Sequence, residues 1–205
     1  MKSLHKFAQW PAAMVAILLF FPASANSQGA AEGARADYSF TTDGKLRFPS
    51  NYREWIFLSS GSGMTYGPSA DPHGPPQFDN VFVNPSSYRA FLNSGKWPEQ
   101  SIFVLEIRSA KSEGSINRGG RFQGSITAVE VLGKDNKRFG DTKGWGFFEY
   151  SGEERSAVDK QPKSASCYAC HSANGAVEHT FVQFYPTLIP VAEKFKTLRM
   201  PVPGK

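Results

Sequence analysis

The sequence predicts an α+β fold, mainly an antiparallel β sheet with a few helices, ending in a C-terminal helical segment that carries a Cys-x-x-Cys-His motif. Three observations predict it. Four short runs, Asn80–Val83, Ser101–Ile107, Phe122–Leu132 and Trp145–Tyr150, are rich in β-branched or aromatic residues and bounded by Gly, Pro or Asn, the texture of strands. One helix with a recognisable start and stop falls between the first two runs. The remaining helical potential lies in Ser166–Lys196, around the motif.

In chain order, Lys2 and Lys6 precede the uncharged apolar run Ala12–Phe21, which Pro22 and the small triplet Ala23-Ser24-Ala25 follow. This is the order of a secretory signal peptide over residues 1–25, cleaved near Ala25. The alternative, a membrane anchor, needs about 20 apolar residues. Residues 26–37 are small and polar and read as a flexible leader, so residues 38–205 form the folded domain. The predicted mature chain is exported to the periplasm, with no membrane association after cleavage.

Asn51–Leu58 can open as helix or strand, and Ser59–Gln77, dense in Gly and Pro, reads as loop. After the first predicted strand, Asn84 to Ser87 start a helix that runs through Tyr88–Asn93. Pro85 sits in the tolerated first turn, and Gly95 follows the end. Gly119-Gly120 and Gly133-Lys134-Asp135 are predicted turns, and the C-terminal helical region is expected to break near Pro186 and Pro190. Seventeen Phe against 2 Cys indicate an aromatic core and not a disulfide scaffold. Cationic residues exceed acidic ones by five, with two of the cations, Lys2 and Lys6, in the predicted signal peptide, and no clustered basic face suggests nucleic acid as a partner.

The strong chemistry is Cys167-Tyr168-Ala169-Cys170-His171, which uses both cysteines of the chain. Each thiol can add to one vinyl group of a haem, and the adjacent imidazole is then placed under the iron. The expected cofactor is therefore one haem c, attached through Cys167 and Cys170, with His171 as the metal ligand. A CxxC redox pair is the alternative, but the strands are not interleaved with helices as that reading requires. The opposite face of the iron decides function. A strong sixth ligand makes an electron carrier, and an empty face admits a small molecule. Met64, Met200, His73 and His179 are the candidates. Met200 before Pro201 is the main rival, since small electron-transfer cytochromes use such a methionine. It is His179 that lies too near His171 in sequence to reach the far face. The long strand-rich stretch ahead of the motif favours an open face.

Tyr52-Arg53-Glu54-Trp55, Asn80–Tyr88 (NVFVNPSSY), the strand before Glu106, Cys167–His171 and Phe184-Tyr185-Pro186 together resemble the cytochrome P-460 family, over about residues 38–198. The resemblance implies a sheet-rich periplasmic haem protein, a homodimer, with His171 as proximal ligand. Known members oxidise hydroxylamine, and the cytochrome c′-beta branch binds nitric oxide or carbon monoxide in an apolar pocket. Hydroxylamine-oxidising members carry a lysine bonded to the haem ring, at a position that falls here on Leu105, which cannot form that bond. Lys111 is the nearest later lysine and is expected past the strand end. The family's distal arginine falls near Asp79, and its distal carboxylate falls on Glu130. By alternation Ile126, Ala128, Glu130 and Leu132 share one face. That face is either interior, with a costly carboxylate, or solvent.

Phe103, Leu105 and Ile107 share another strand face, so Leu105 with Phe82 and Phe103 is expected to wall an apolar pocket for nitric oxide or a similar diatomic ligand. An oxidoreductase acting on hydroxylamine or nitric oxide, with Glu130 as proton acceptor, is the alternative; a His/Met electron-transfer cytochrome is the third reading. Arg53 and Glu54 are expected to pair near the haem propionates, and Tyr185 to pack beside His171. Lys160, Lys163 and Arg155 read as a solvated loop, with a basic patch for an acidic redox partner protein as the alternative.

Overall fold

Period-two burial builds one five-stranded sheet. The computed structural model describes residues 38–65, 71, 73–151, 155–161 and 166–199. Its strands are β1 (Ile56–Ser62), β2 (Gln77–Val83), β3 (Ile102–Lys111), β4 (Phe122–Lys134) and β5 (Trp145–Ser151), antiparallel throughout and adjacent in sequence order. With helices α1 (Pro85–Ser94), α2 (Ser166–Asn174) and α3 (Ile189–Lys194) added, the fold is α+β as the sequence predicts. Among the described residues no helix is long and apolar enough to cross a membrane. Residues 1–37, Lys163 and Met200 lie outside the described residues.

Both faces of the sheet are covered, and alternate residues separate two cores. Leu58, Val83, Phe103, Leu132 and Phe147 pack with Phe91 of α1, Val182, Leu188 and Ala192, with Cys167 and Tyr168 of α2 against them. Val104, Val129, Val131, Phe148 and Tyr150 pack instead with Leu46, Tyr52 and Trp55 from the segment ahead of β1. Phe147 and Phe148, adjacent in sequence, thus belong to different cores, and burying one such side chain stabilises by about 1.5–3 kcal/mol.

The predicted α1 is present with its expected ends. Pro85 stands in its first turn, and Gly95 takes the left-handed conformation (φ 66°) while its N–H donates to Phe91 O, an ending that glycine permits without a Cβ clash. The Asn84 carboxamide oxygen accepts the Ile102 N–H at 3.2 Å, which ties the start of α1 to β3.

Four expectations are corrected. Ser59–Ser62, read as loop, continue β1, because pairing with β2 outweighs their weak strand propensity. Lys111 is the last residue of β3, paired with Phe122, and not beyond the strand. Gly133 and Lys134 end β4 and are not a turn; the Tyr38 ring lies where a Cβ on Gly133 would stand, 2.5 Å away. Pro190 sits in the first turn of α3 and opens a helix where a break was expected.

Candidate functional site

Helix α2 brings the motif together through its own periodicity. Cys167, Cys170 and His171 stand at i, i+3 and i+4 and share one helix face. The two thiols are half-buried and not joined to each other. The His171 ring lies 5.0 Å from Phe147, edge to face, and 4.3 Å from Phe181. Its Nδ1 is 2.7 Å from His179 O. A carbonyl only accepts, so Nδ1 carries the proton and Nε2 keeps the lone pair that a metal needs. Burial pushes the His171 pKa down to about 4, which keeps the ring neutral and able to ligate.

The strand face under α2 carries the second half of the site. Across the sheet, Val81 pairs with Leu105, Leu105 with Glu130, and Glu130 with Glu149. Directly paired residues point to the same face, and this face continues into Leu132 and Phe147 of the helix-covered core. Among the described residues, no hydrogen-bond or ion-pair donor reaches the Glu130 carboxylate. Its pKa is pushed up to about 7, by burial first and then by the charges of Glu149 and Asp79. The Cys167 thiol is raised by burial and then by the Glu130 charge, which sets the carboxylate near the motif. Asp79 is buried and raised for the same first reason.

The predicted site residues separate as follows. Leu105 and Glu130 share the face with Cys167, Cys170 and His171. Phe103 is on that face too, but it is enclosed by Trp97, Trp145 and Tyr185. Phe82 is on the opposite face, against Tyr52 and Phe57; its neighbours Val81 and Val83 point toward the helices instead. Ile126 does not share the Glu130 face. Arg108 pairs with Ile126 and Ile107 with Ala128, so Thr127 is an extra residue that reverses the alternation. The question left open for Glu130 resolves as neither alternative alone: Val129 and Val131 lie in the second core, while Glu130 is half-buried on the other side between half-buried Leu105 and exposed Glu149.

Other expectations are redirected. Arg53 pairs with Glu106 at 2.5 Å and not with Glu54. Arg108 and Tyr52 also bond to Glu106, so a closed ion cluster sits on the face away from α2. Phe181, and not Tyr185, packs on His171. His73 and Met64 are exposed. Lys111 lies six residues from Leu105 along one strand, roughly 20 Å away. Lys160 is paired with Asp141, and Arg155 covers the Phe48 ring. Sequence reasoning missed Phe147, Phe181, Glu149 and Gly175. Gly175 is required by a close approach visible only in the fold: a Cβ there would meet the backbones of His179 and His171 at 2.6–2.7 Å.

Two separate thiols, an imidazole presenting Nε2 and an aromatic floor fit a haem. A motif-bearing helix packed on an antiparallel sheet in this way suits a haem-binding cytochrome. The model of the Cytochrome P460 family matches residues 49–182, well over half the chain, and the protein belongs to that family. A search of the curated proteins finds no match to it.

Proposed function

We propose that this cytochrome is an oxidoreductase acting on hydroxylamine or a related small nitrogenous molecule, at an open face of one haem held covalently by Cys167 and Cys170 and ligated by His171. When bound there, the haem would supply redox chemistry, with Cys167, Cys170 and His171 holding it. The chain's own residues hold the geometry and the proton. The His179 carbonyl orients His171, Phe147 and Phe181 exclude water around it, and Glu130 takes up the substrate proton at its carboxylate.

The observation that carries this reading is Glu130 itself, a half-buried carboxylate without a donor among the described residues, opposite Leu105 and close enough to the motif for its charge to act on Cys167. A pKa near 7 suits a proton acceptor working near neutrality. An apolar wall alone, the expectation behind simple diatomic binding, is not what Glu130, Glu149 and Asp79 provide. The test is hydroxylamine-dependent reduction of an artificial acceptor by wild type and Glu130→Gln. A fall of about 10²-fold in the variant is expected, and no turnover by either protein removes the reading.

A second reading, reversible binding of nitric oxide or carbon monoxide as in the cytochrome c′-beta branch, is favoured by Leu105 beside Val81, where a ring-bonding lysine is absent. Titration of ferrous protein with both gases tests it. A low-spin protein that ignores carbon monoxide would end both open-face readings and leave electron transfer through Met200. Export to the periplasm rests on the segment read at residues 1–25. A homodimer follows from the family resemblance, and a redox partner protein rests on the basic residues ahead of the motif.

A further inference from the structure

Among the described residues, five non-glycines have left-handed backbone, and three of them, Lys143 (φ 57°), Glu178 (φ 45°) and His179 (φ 66°), line a single cleft. A Cβ makes that conformation costly, so it persists where surrounding contacts impose it, and it gathers at sites that use it. The cleft encloses about 470 Å³, and Lys134, Trp145 and Arg199 are also on its walls.

Its charges are unevenly matched. Lys134 is buried and donates to Trp97 O at 2.6 Å and to Glu178 Oε1 at 3.3 Å, while the other Glu178 oxygen accepts the Trp97 N–H at 2.7 Å. Both oxygens of the only carboxylate on the walls are therefore engaged. Lys143 and Arg199 have no carboxylate partner among the described residues. Their backbones are nevertheless held: the Arg199 N–H donates to Ala176 O at 2.8 Å, and Lys143 closes the turn after Gly140. A guanidinium and an ammonium are thus presented to a concavity whose internal charge pair is already satisfied, an arrangement that suits an oxyanion.

We propose that this cleft binds a small inorganic oxyanion between Lys143 and Arg199. The turn that forms its wall also brings the His179 carbonyl to His171 Nδ1, so the occupant sits behind the imidazole expected to hold the iron. The site stands independently of whether the haem face turns over hydroxylamine.

Calorimetric titration of the full-length holoprotein with inorganic phosphate, at ionic strength held constant with chloride, tests the proposal. One phosphate per chain is expected. Lys143→Asn, which tolerates the left-handed backbone, and Arg199→Gln should each weaken binding about tenfold. Lys160→Gln, outside the cleft and already paired with Asp141, should leave it unchanged. Circular dichroism checks that each variant is folded, and Arg199→Gln decides alone if Lys143→Asn is not. Absence of saturable binding, binding by both cleft variants as tight as that of wild type, or binding of poly-aspartate without binding of phosphate would overturn the proposal, the last by showing an acidic protein surface to be the occupant.

Discussion

Glu130 stands directly across the sheet from Leu105, and both side chains point toward the helix that carries the two cysteines. The pair puts an ionisable group and an inert one side by side. On the proposed reading, Leu105 would leave no covalent route to the haem ring at that position, and Glu130 would supply the means of moving a proton.

Turnover of hydroxylamine should rise with pH through about 7, because the unprotonated Glu130 is the acceptor and its pKa is pushed up to about 7. Glu130→Gln should remove that limb of the profile. Glu149→Gln should shift it to lower pH, since Glu149 is a like charge whose removal lowers the Glu130 pKa. A steady-state pH profile of the three proteins checks this, and an unmoved limb in Glu149→Gln would contradict the coupling.

Haem attachment should be confined to the motif. Intact mass of protein matured in a competent host should show one haem per chain, and peptide mapping should find it only on the segment holding Cys167 and Cys170. A haem-linked peptide containing Leu105 or Lys111 would refute the assignment of residue 105.

Gly175→Ala should disturb the site from behind. The new methyl would fall within 2.7 Å of the backbones of His171 and His179, and such overpacking costs about 1–3 kcal/mol. A lower Tm together with a changed Soret band is expected. Gly119→Ala, where a Cβ meets nothing within 4 Å, serves as the control and should change neither.

The Glu106 cluster should set the acid limit of stability. Burial alone would raise the Glu106 pKa, but hydrogen bonds from Arg108 and Tyr52 and the charges of Arg108 and Arg53 outweigh it and hold the value at about 2. A carboxylate whose pKa is depressed on folding contributes stability above its unfolded value, and that stability is lost as pH falls through about 4.5 toward 2. Glu106→Gln should cost on the order of 3 kcal/mol at neutral pH, because Arg108 is left without its partner. Urea titrations at pH 7 and pH 3 check it: the difference between wild type and variant should shrink at pH 3.

Much of the sheet was legible because its strands announce themselves by composition. Phe122–Leu132 and Trp145–Tyr150 fall within one or two residues of β4 and β5, and Pro85 with Gly95 marked α1. Ser59–Ser62 were not legible, since a polar edge strand is made by its neighbour's hydrogen bonds. Ile126 was placed on the wrong face because one inserted residue, Thr127, reverses every side chain beyond it, and periodicity has no way to register a bulge. Phe82 was assigned to the pocket wall with no register to place it, whereas the parity of β2 turns it to the other core.

The sequence by itself determined the donor chemistry, because two thiols and an imidazole within five consecutive residues meet on any helix that contains them. It also determined that residue 105 is a leucine, and hence what that position cannot bond. Only the tertiary structure decided which carboxylate meets the motif, which rings enclose His171, and that Glu106 is locked away from both. Those relationships join residues far apart in the chain, and they follow from strand register and from which face each side chain takes, quantities that depend on pairing partners and not on local spacing.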